Sequence, residues 1–434
     1  MTTSKMPALS GRGPAGRRFG DRYVIAADRV FDGRRVLESH AVAVSGDRIE
    51  AVAPADRLSG PGERILFSGT LLPGFIDLHA HLRLGQVPPE IVLRHGLTTI
   101  RETGGPLAPP SGGDGRLRVL AAGPILTAPG GYPIPVFGPG AGLEVADVRA
   151  ARNAVGEVAA GGAAFIKIAL EPGQSPGAPW TMHAPASPPP WSMPPLEVVQ
   201  AIVGEAHVHG LIVAAHLSGP EGAALALDAG VDEWAHVPCD PLPPHLVARA
   251  AAAGVRVVST LDTLSHCTGV AGNARQLAEA GIELLYGTDL AHTDVPWGID
   301  AQELALMVGT ANGVRTPLQV LSAATARAGE HLGLAPLGQL AEGAPADLIG
   351  VRGGDRAAVS PPFPGPPVDP DDPARLRIVK ALRDQPRELL TLLRLRQSTR
   401  PTAPHRNPPN PSSVATTVRN RLLRFGPTQG PLAG

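Results

Sequence analysis

Between Leu72 and Leu334 short β-type runs alternate with alanine-rich helical stretches, and this alternation constrains the fold more than any other feature. Eight runs are predicted: Gly74–Ala80, Leu97–Arg101, Leu117–Ala122, Phe165–Leu170, Leu211–His216, Glu233–Val237, Val255–Thr260 and Ile282–Asp289. Helices are predicted over Leu196–His209, Pro220–Ala229, Pro244–Ala253, Asn273–Ala280 and Pro317–Leu332. Gly210, Gly230, Gly254 and Gly281 stand where four of them should end. Eight strands interleaved with helices predict an α/β fold, a (β/α)8 (TIM) barrel over residues 73–336. An open doubly wound sheet is the alternative, but no glycine fingerprint follows the first strand.

Ahead of the barrel, Tyr23–Ala26, Ala41–Val44 and Arg48–Val52 read as strands, with turns at Asp32-Gly33 and Gly46-Asp47. A β pattern returns at Ala346–Ile349, and a further strand is predicted near Arg377–Lys380. Residues 21–72 and 337–382 are therefore expected to form one small β-sandwich. Residues 1–20 have no apolar h-region and read as a flexible leader. Residues 391–434 carry seven arginines, many prolines and no acid, the composition of a disordered basic tail.

Composition excludes several classes. Lysine and arginine number 38 against 39 acids, which gives no electrostatic case for nucleic-acid or membrane partners. No apolar window is long enough to span a bilayer. Aromatic residues are 3% of the chain, so its core must be built from Ala, Val, Leu and Ile. Cys239 and Cys267 form no CxxC pair, which argues against a disulfide framework or a thiolate metal site and fits a cytoplasmic protein.

The chemistry is carried by histidines at strand ends. His79 and His81 lie two apart on the first run, so both rings project to one side, with Asp77 in phase. Such a pair suits Zn2+ or another divalent metal; its plain alternative is two core histidines. His216, His236 and Asp289 sit at or near the C-terminal ends of the fifth, sixth and eighth runs, where barrels build their active sites. Lys167 lies inside the apolar fourth run, where an ammonium is costly unless paired or neutralised. Tyr132, His266 and His292 fall on loops of the same face and are candidate substrate contacts. The proline-rich segment 174–195, with Trp180, His183 and Trp191, has the composition of a lid. His207 and His209 read as structural, and Arg101 and Glu102 as an ion pair.

These motifs resemble the amidohydrolase superfamily. Leu72–His81 resembles its opening signature, and Gly96–Arg101, Thr127–Gly131 and Gly343–Leu348 extend the likeness over most of the chain. Within it the chain looks most like the imidazolonepropionase-related, prolidase-like group. The resemblance implies two divalent metals per chain. His79 and His81 would hold the buried one and His216 and His236 the exposed one, bridged by a carboxylated Lys167, with Asp289 as ligand and proton acceptor. It implies hydrolysis of an amide in a small molecule such as a dipeptide, N-acyl amino acid, lactam or cyclic imide, by a chain that can form a homo-oligomer. A mononuclear deaminase, a cyclase or lyase, and an inert scaffold are the rivals. Tyr132 departs from the histidine many relatives carry there.

Overall fold

The structure, a computed structural model, describes residues 22–352 apart from 59–61, 114, 293–294 and 310–314. The expected leader, the strand near Arg377–Lys380 and the basic tail lie outside the described residues. Strands β1 (Arg22–Phe31), β2 (Val36–Glu38), β3 (His40–Ser45), β4 (Arg48–Pro54) and β5 (Glu63–Pro73) open the chain. Asp32 Oδ1 accepts the backbone N–H groups of Arg34 and Arg35 at 2.8 and 2.9 Å, which closes the turn after β1.

Strands β6 (Phe75–Ala80), β7 (Leu97–Glu102) and β8 (Arg118–Ala121) form a parallel sheet of three. Next come β9 (Ile125–Thr127), β10 (Gly142–Glu144), β11 (Ile166–Leu170), β12 (Val213–Leu217), β13 (Glu233–Trp234), β14 (Arg256–Val258) and β15 (Leu284–Leu285). These make a parallel sheet in the order β10-β9-β11-β12-β13-β14-β15. The third predicted run is thus continued by a second piece: β8 pairs with β7, and β9 pairs with β11. Backbone hydrogen bonds join the two sheets at both seams. Ala164 N–H donates to Ala121 O at 2.8 Å on one side. On the other, Leu78 N–H donates to Tyr286 O at 3.1 Å and His81 N–H to Leu290 O at 2.8 Å. The result is a TIM-barrel-like α/β arrangement.

The helices follow the sequence pattern where glycine ends them. Those over Pro220–Ala229 and Pro244–Ala253 stop at Gly230 (φ 77°) and Gly254 (φ 69°), left-handed positions that a Cβ would strain. The predicted helix Pro317–Leu332 is two, Pro317–Ala323 and Ala326–His331, because Thr325 takes up φ −136° and ψ −100° between them. Strands six and eight are shorter as regular ladder than predicted, two residues each.

A last strand, β16 (Leu348–Arg352), returns to pair antiparallel with β5. It completes one mixed sheet, β16-β5-β1-β3-β4, with β2 on β1. The sandwich was expected to have two layers; among the described residues the strands outside the barrel pair into this single sheet. Because β5 runs straight through Gly74 into β6, the sheet anchors the strand that carries His79.

The cysteines require a correction. Cys239 and Cys267 are joined in a disulfide, with Cα atoms 5.0 Å apart, so neither is free. Spacing along the chain gave no hint, because the bond bridges two different strand-end loops. It removes the reason for expecting a reducing compartment. No helix among the described residues is long and apolar enough to cross a membrane.

Candidate metal centre

Strand β6 is bulged where it matters. Asp77 pairs with Ile100 and Ala80 with Glu102, so Leu78 and His79 together face Arg101 alone. His79 Nε2 and His81 Nε2 each lie 3.3 Å from Asp289 Oδ1. These three residues form a group able to hold a metal ion. His79 Nδ1 is 2.8 Å from Ala235 O, which fixes the ring and leaves Nε2 for the site. His81 Nε2 also lies 3.2 Å from Thr103 Oγ1. Asp289 itself has φ 58°, a left-handed conformation rare outside glycine and typical of strained functional positions.

Asp77 does not join this set. Its Oδ1 accepts His79 N–H at 2.9 Å and its Oδ2 accepts the Thr288 hydroxyl at 2.6 Å. The carboxyl braces the strand ends instead, and burial raises its pKa to about 7.

The other sequence candidates meet across the barrel mouth. His216 Nδ1 is 3.0 Å from His236 Nε2, and His236 Nδ1 is 3.0 Å from Thr260 Oγ1. The His79 and His236 rings are 4.4 Å apart between centroids, so the two histidine pairs adjoin. Lys167 is 1% exposed, and burial pulls its ammonium down to about 7. Burial also lowers His216, and lowers His79 and His236 further, which favours the neutral imidazole that a metal requires. Burial alone would raise Asp289, but the neighbouring His79 and His292 hold it well below the usual carboxylate range.

Among the polar atoms buried here that make no hydrogen bond of normal geometry are Lys167 Nζ, His216 Nε2, Asp289 Oδ1 and Glu171 Oε2. Buried polar groups without a hydrogen bond are costly, and nitrogen and carboxylate donors facing one another in this way fit the chemistry of a divalent cation site. Glu171 was not singled out by the sequence. It directly follows β11, is 1% exposed, and its Oε2 lies 3.6 Å from His216 Nε2. An acid one residue past the strand of Lys167 was the available signal, masked by the proline that follows it.

The substrate-side candidates divide. Tyr132 stacks on His216 with ring centroids 4.5 Å apart. His292 Nε2 lies 3.2 Å from Asp289 Oδ2. His266 is exposed, on the loop after β14. In the 174–195 segment, Trp180 packs edge-on against His216 at 4.6 Å and Trp191 stacks on Tyr132 at 5.9 Å. Gly173 (φ 83°) admits Trp191, since a Cβ there would stand 2.5 Å from the indole ring. His183 is exposed beside Phe137. His207 and His209 pair with Asp232 and Glu205, as structural residues do. Arg101 pairs with Glu233, not with Glu102, whose Oε2 accepts the backbone N–H of Leu82.

Residues 70–371 match the family model described as "Amidohydrolase family". The imidazolonepropionase of Deinococcus radiodurans is 30% identical over 163 residues, 37% of this chain and 40% of that protein. The match therefore spans about two fifths of that curated relative. The crystal structure of A. niger ochratoxinase superposes with a TM-score of 0.62 at 20% identity, covering 85% of this chain and 93% of that one. A Xaa-Pro dipeptidase with bound methionine in its active site gives 0.61 at 22%, covering 77% and 94%. At these identities the structures establish the shared fold.

Proposed function

The chain belongs to the amidohydrolase family, and from that premise we propose that it is a metal-dependent hydrolase of a C–N amide bond in a small molecule. The observation that carries the reading is the meeting of His79, His81 and Asp289 with His216, His236 and a buried, unpartnered Lys167. His79 and His81 would hold one divalent metal, and His216 and His236 a second. Lys167, carboxylated, would lie between them, and Asp289 beside the first. Bound there, the cations supply an acidified water and polarise the scissile carbonyl.

The chain's own residues do the rest. The Asp289 carboxylate, kept ionised by its histidine neighbours, takes the proton from the attacking water and passes it to the leaving nitrogen. His292, 3.2 Å from the other oxygen of Asp289, steadies that carboxylate. Tyr132, Trp180 and Trp191 wall the His216 side with aromatic surface, which excludes water and favours a substrate with an apolar group there. Dipeptides with an apolar residue, N-acyl amino acids and lactams fit this description.

Metal analysis of the purified protein, followed by a hydrolysis screen over those three classes, tests the reading. Two metals per chain and release of a free amine are expected. One metal, with ammonia released from a heterocycle, would turn the assignment to a deaminase, and no metal at all would turn it to a scaffold.

A further inference from the structure

The bulge in β6 is supported from across the sheet. Leu78 and His79 face Arg101 alone, and Arg101 Nε donates a hydrogen bond to Leu78 O at 3.0 Å. That carbonyl immediately precedes the His79 amide, so the bond sets the peptide plane from which the His79 ring projects. The guanidinium is 1% exposed. Its Nη2 is held by Glu233, which is fully buried and is also gripped by His331. Its Cζ lies 4.3 Å over the ring of Phe165, two residues before Lys167. Glu233 stands two residues before Ala235, whose carbonyl faces His79 Nδ1 at 2.8 Å, and three before His236. One side chain thus touches β6, β13 and the residue that leads into β11, the segments that carry or lead to His79, His236 and Lys167.

A buried ion pair is by itself weak evidence for stability, since apolar replacements often serve as well. What an apolar residue cannot do is hold a carbonyl with one N–H of a rigid planar group and a carboxylate with another. We propose that Arg101 is a positioning residue that fixes the bulge of β6 against β13 and so sets the aim of His79 and His81 at their metal. The proposal rests on the metal-centre reading above.

Zinc affinity, measured by competition with a chromophoric chelator, is the direct readout. Arg101→Met should weaken zinc binding by roughly 10–100-fold, the usual loss when a residue supporting a ligand is removed. In the zinc-saturated protein kcat should fall while KM stays within about 3-fold, as for a lost transition-state interaction. Arg101→Met leaves Glu233 unpaired, so the double variant Arg101→Met, Glu233→Gln removes both charges. That variant should regain the wild-type unfolding temperature and still bind zinc weakly, a separation that a purely structural role does not produce. If both neutral variants fail to fold, Arg101→Lys, which keeps the charge but loses the fork, carries the same expectation. Recovery of wild-type zinc affinity in the double variant would trace the loss to the unpaired Glu233 and overturn the proposal. Unchanged affinity in every folded variant would overturn it as well. A wild-type chain that binds no zinc would sink the metal-centre reading and this proposal with it.

Discussion

Lys167 and Asp289 carry the sharpest consequences at the scale of single residues. Lys167→Ala removes the group that would lie between the two histidine pairs. The variant should keep one metal of two and lose most activity, on the order of 100-fold or more; metal analysis alongside turnover checks both. Asp289→Asn keeps the shape of the side chain but not its basicity. It should retain metal and lose about 100-fold or more in kcat, the scale of general acid–base catalysis; an unchanged rate would refute the proton-transfer role. That His79, His81, Lys167, His216, His236 and Asp289 gather at one end of the barrel was legible because the period of a strand and the polarity of a barrel place them with little help from context. Glu171 was not, because one residue past a strand end the chain loses its period. The bracing role of Asp77 was illegible for a different reason. Its phase was right, but the free N–H of His79 and the Thr288 hydroxyl claimed its oxygens first.

Elements were legible where a local rule decided them. Gly210, Gly230, Gly254 and Gly281, placed at the ends of the predicted helices, all adopt positive φ. Where tertiary contacts decide, the sequence was silent: the continuation of the third strand in β9, the break at Thr325 and the bulge in β6 leave no periodic mark. The helix Ala301–Gly309 shows a further consequence of tertiary crowding. Asp300 Oδ1 accepts the N–H groups of Gln302 and Glu303 in its first turn, and Glu303 Oε2 accepts Asp262 N–H at 2.7 Å. Burial raises Glu303 from 4.5 to about 8, and burial with the nearby Asp262 raises Asp300 from 3.8 to about 7. The folded state therefore binds protons that the unfolded chain has released. Their contribution to stability is complete below about 4 and is lost as pH rises through 7 and 8. Glu303→Gln, neutral at every pH, should flatten this decline. Thermal melts between pH 6 and 9 should show the wild type losing several degrees more than the variant; parallel curves would refute it.

At the scale of the whole molecule, the α/β alternation and the β segments flanking it were readable because hydrophobic period reports burial directly. The pairing of β5 with β16, strands far apart in sequence, was foreseen only as a reunion of two β segments, since register depends on partners a sequence does not name. The disulfide was missed on the same ground. It closes a stretch with a separation of 28 residues, between the loop after His236 and the loop after Thr260. Reduction should lower the melting temperature by roughly 3–6 °C, corresponding to about 2–4 kcal/mol for a ring of this size. Alkylation under denaturing conditions should label two thiols per chain only after a reductant is added. Labelling without reductant would show that the bond does not form.

That ring has a practical meaning for anyone who handles the protein. The two loops it ties lead away from His236 and from Thr260, the hydroxyl that contacts His236. The redox history of a preparation is therefore written into the two loops that follow His236 and Thr260. Material made or stored with a strong dithiol and material made without it are two chemical species of identical sequence. Their metal loading and turnover are to be compared only after the thiols have been counted.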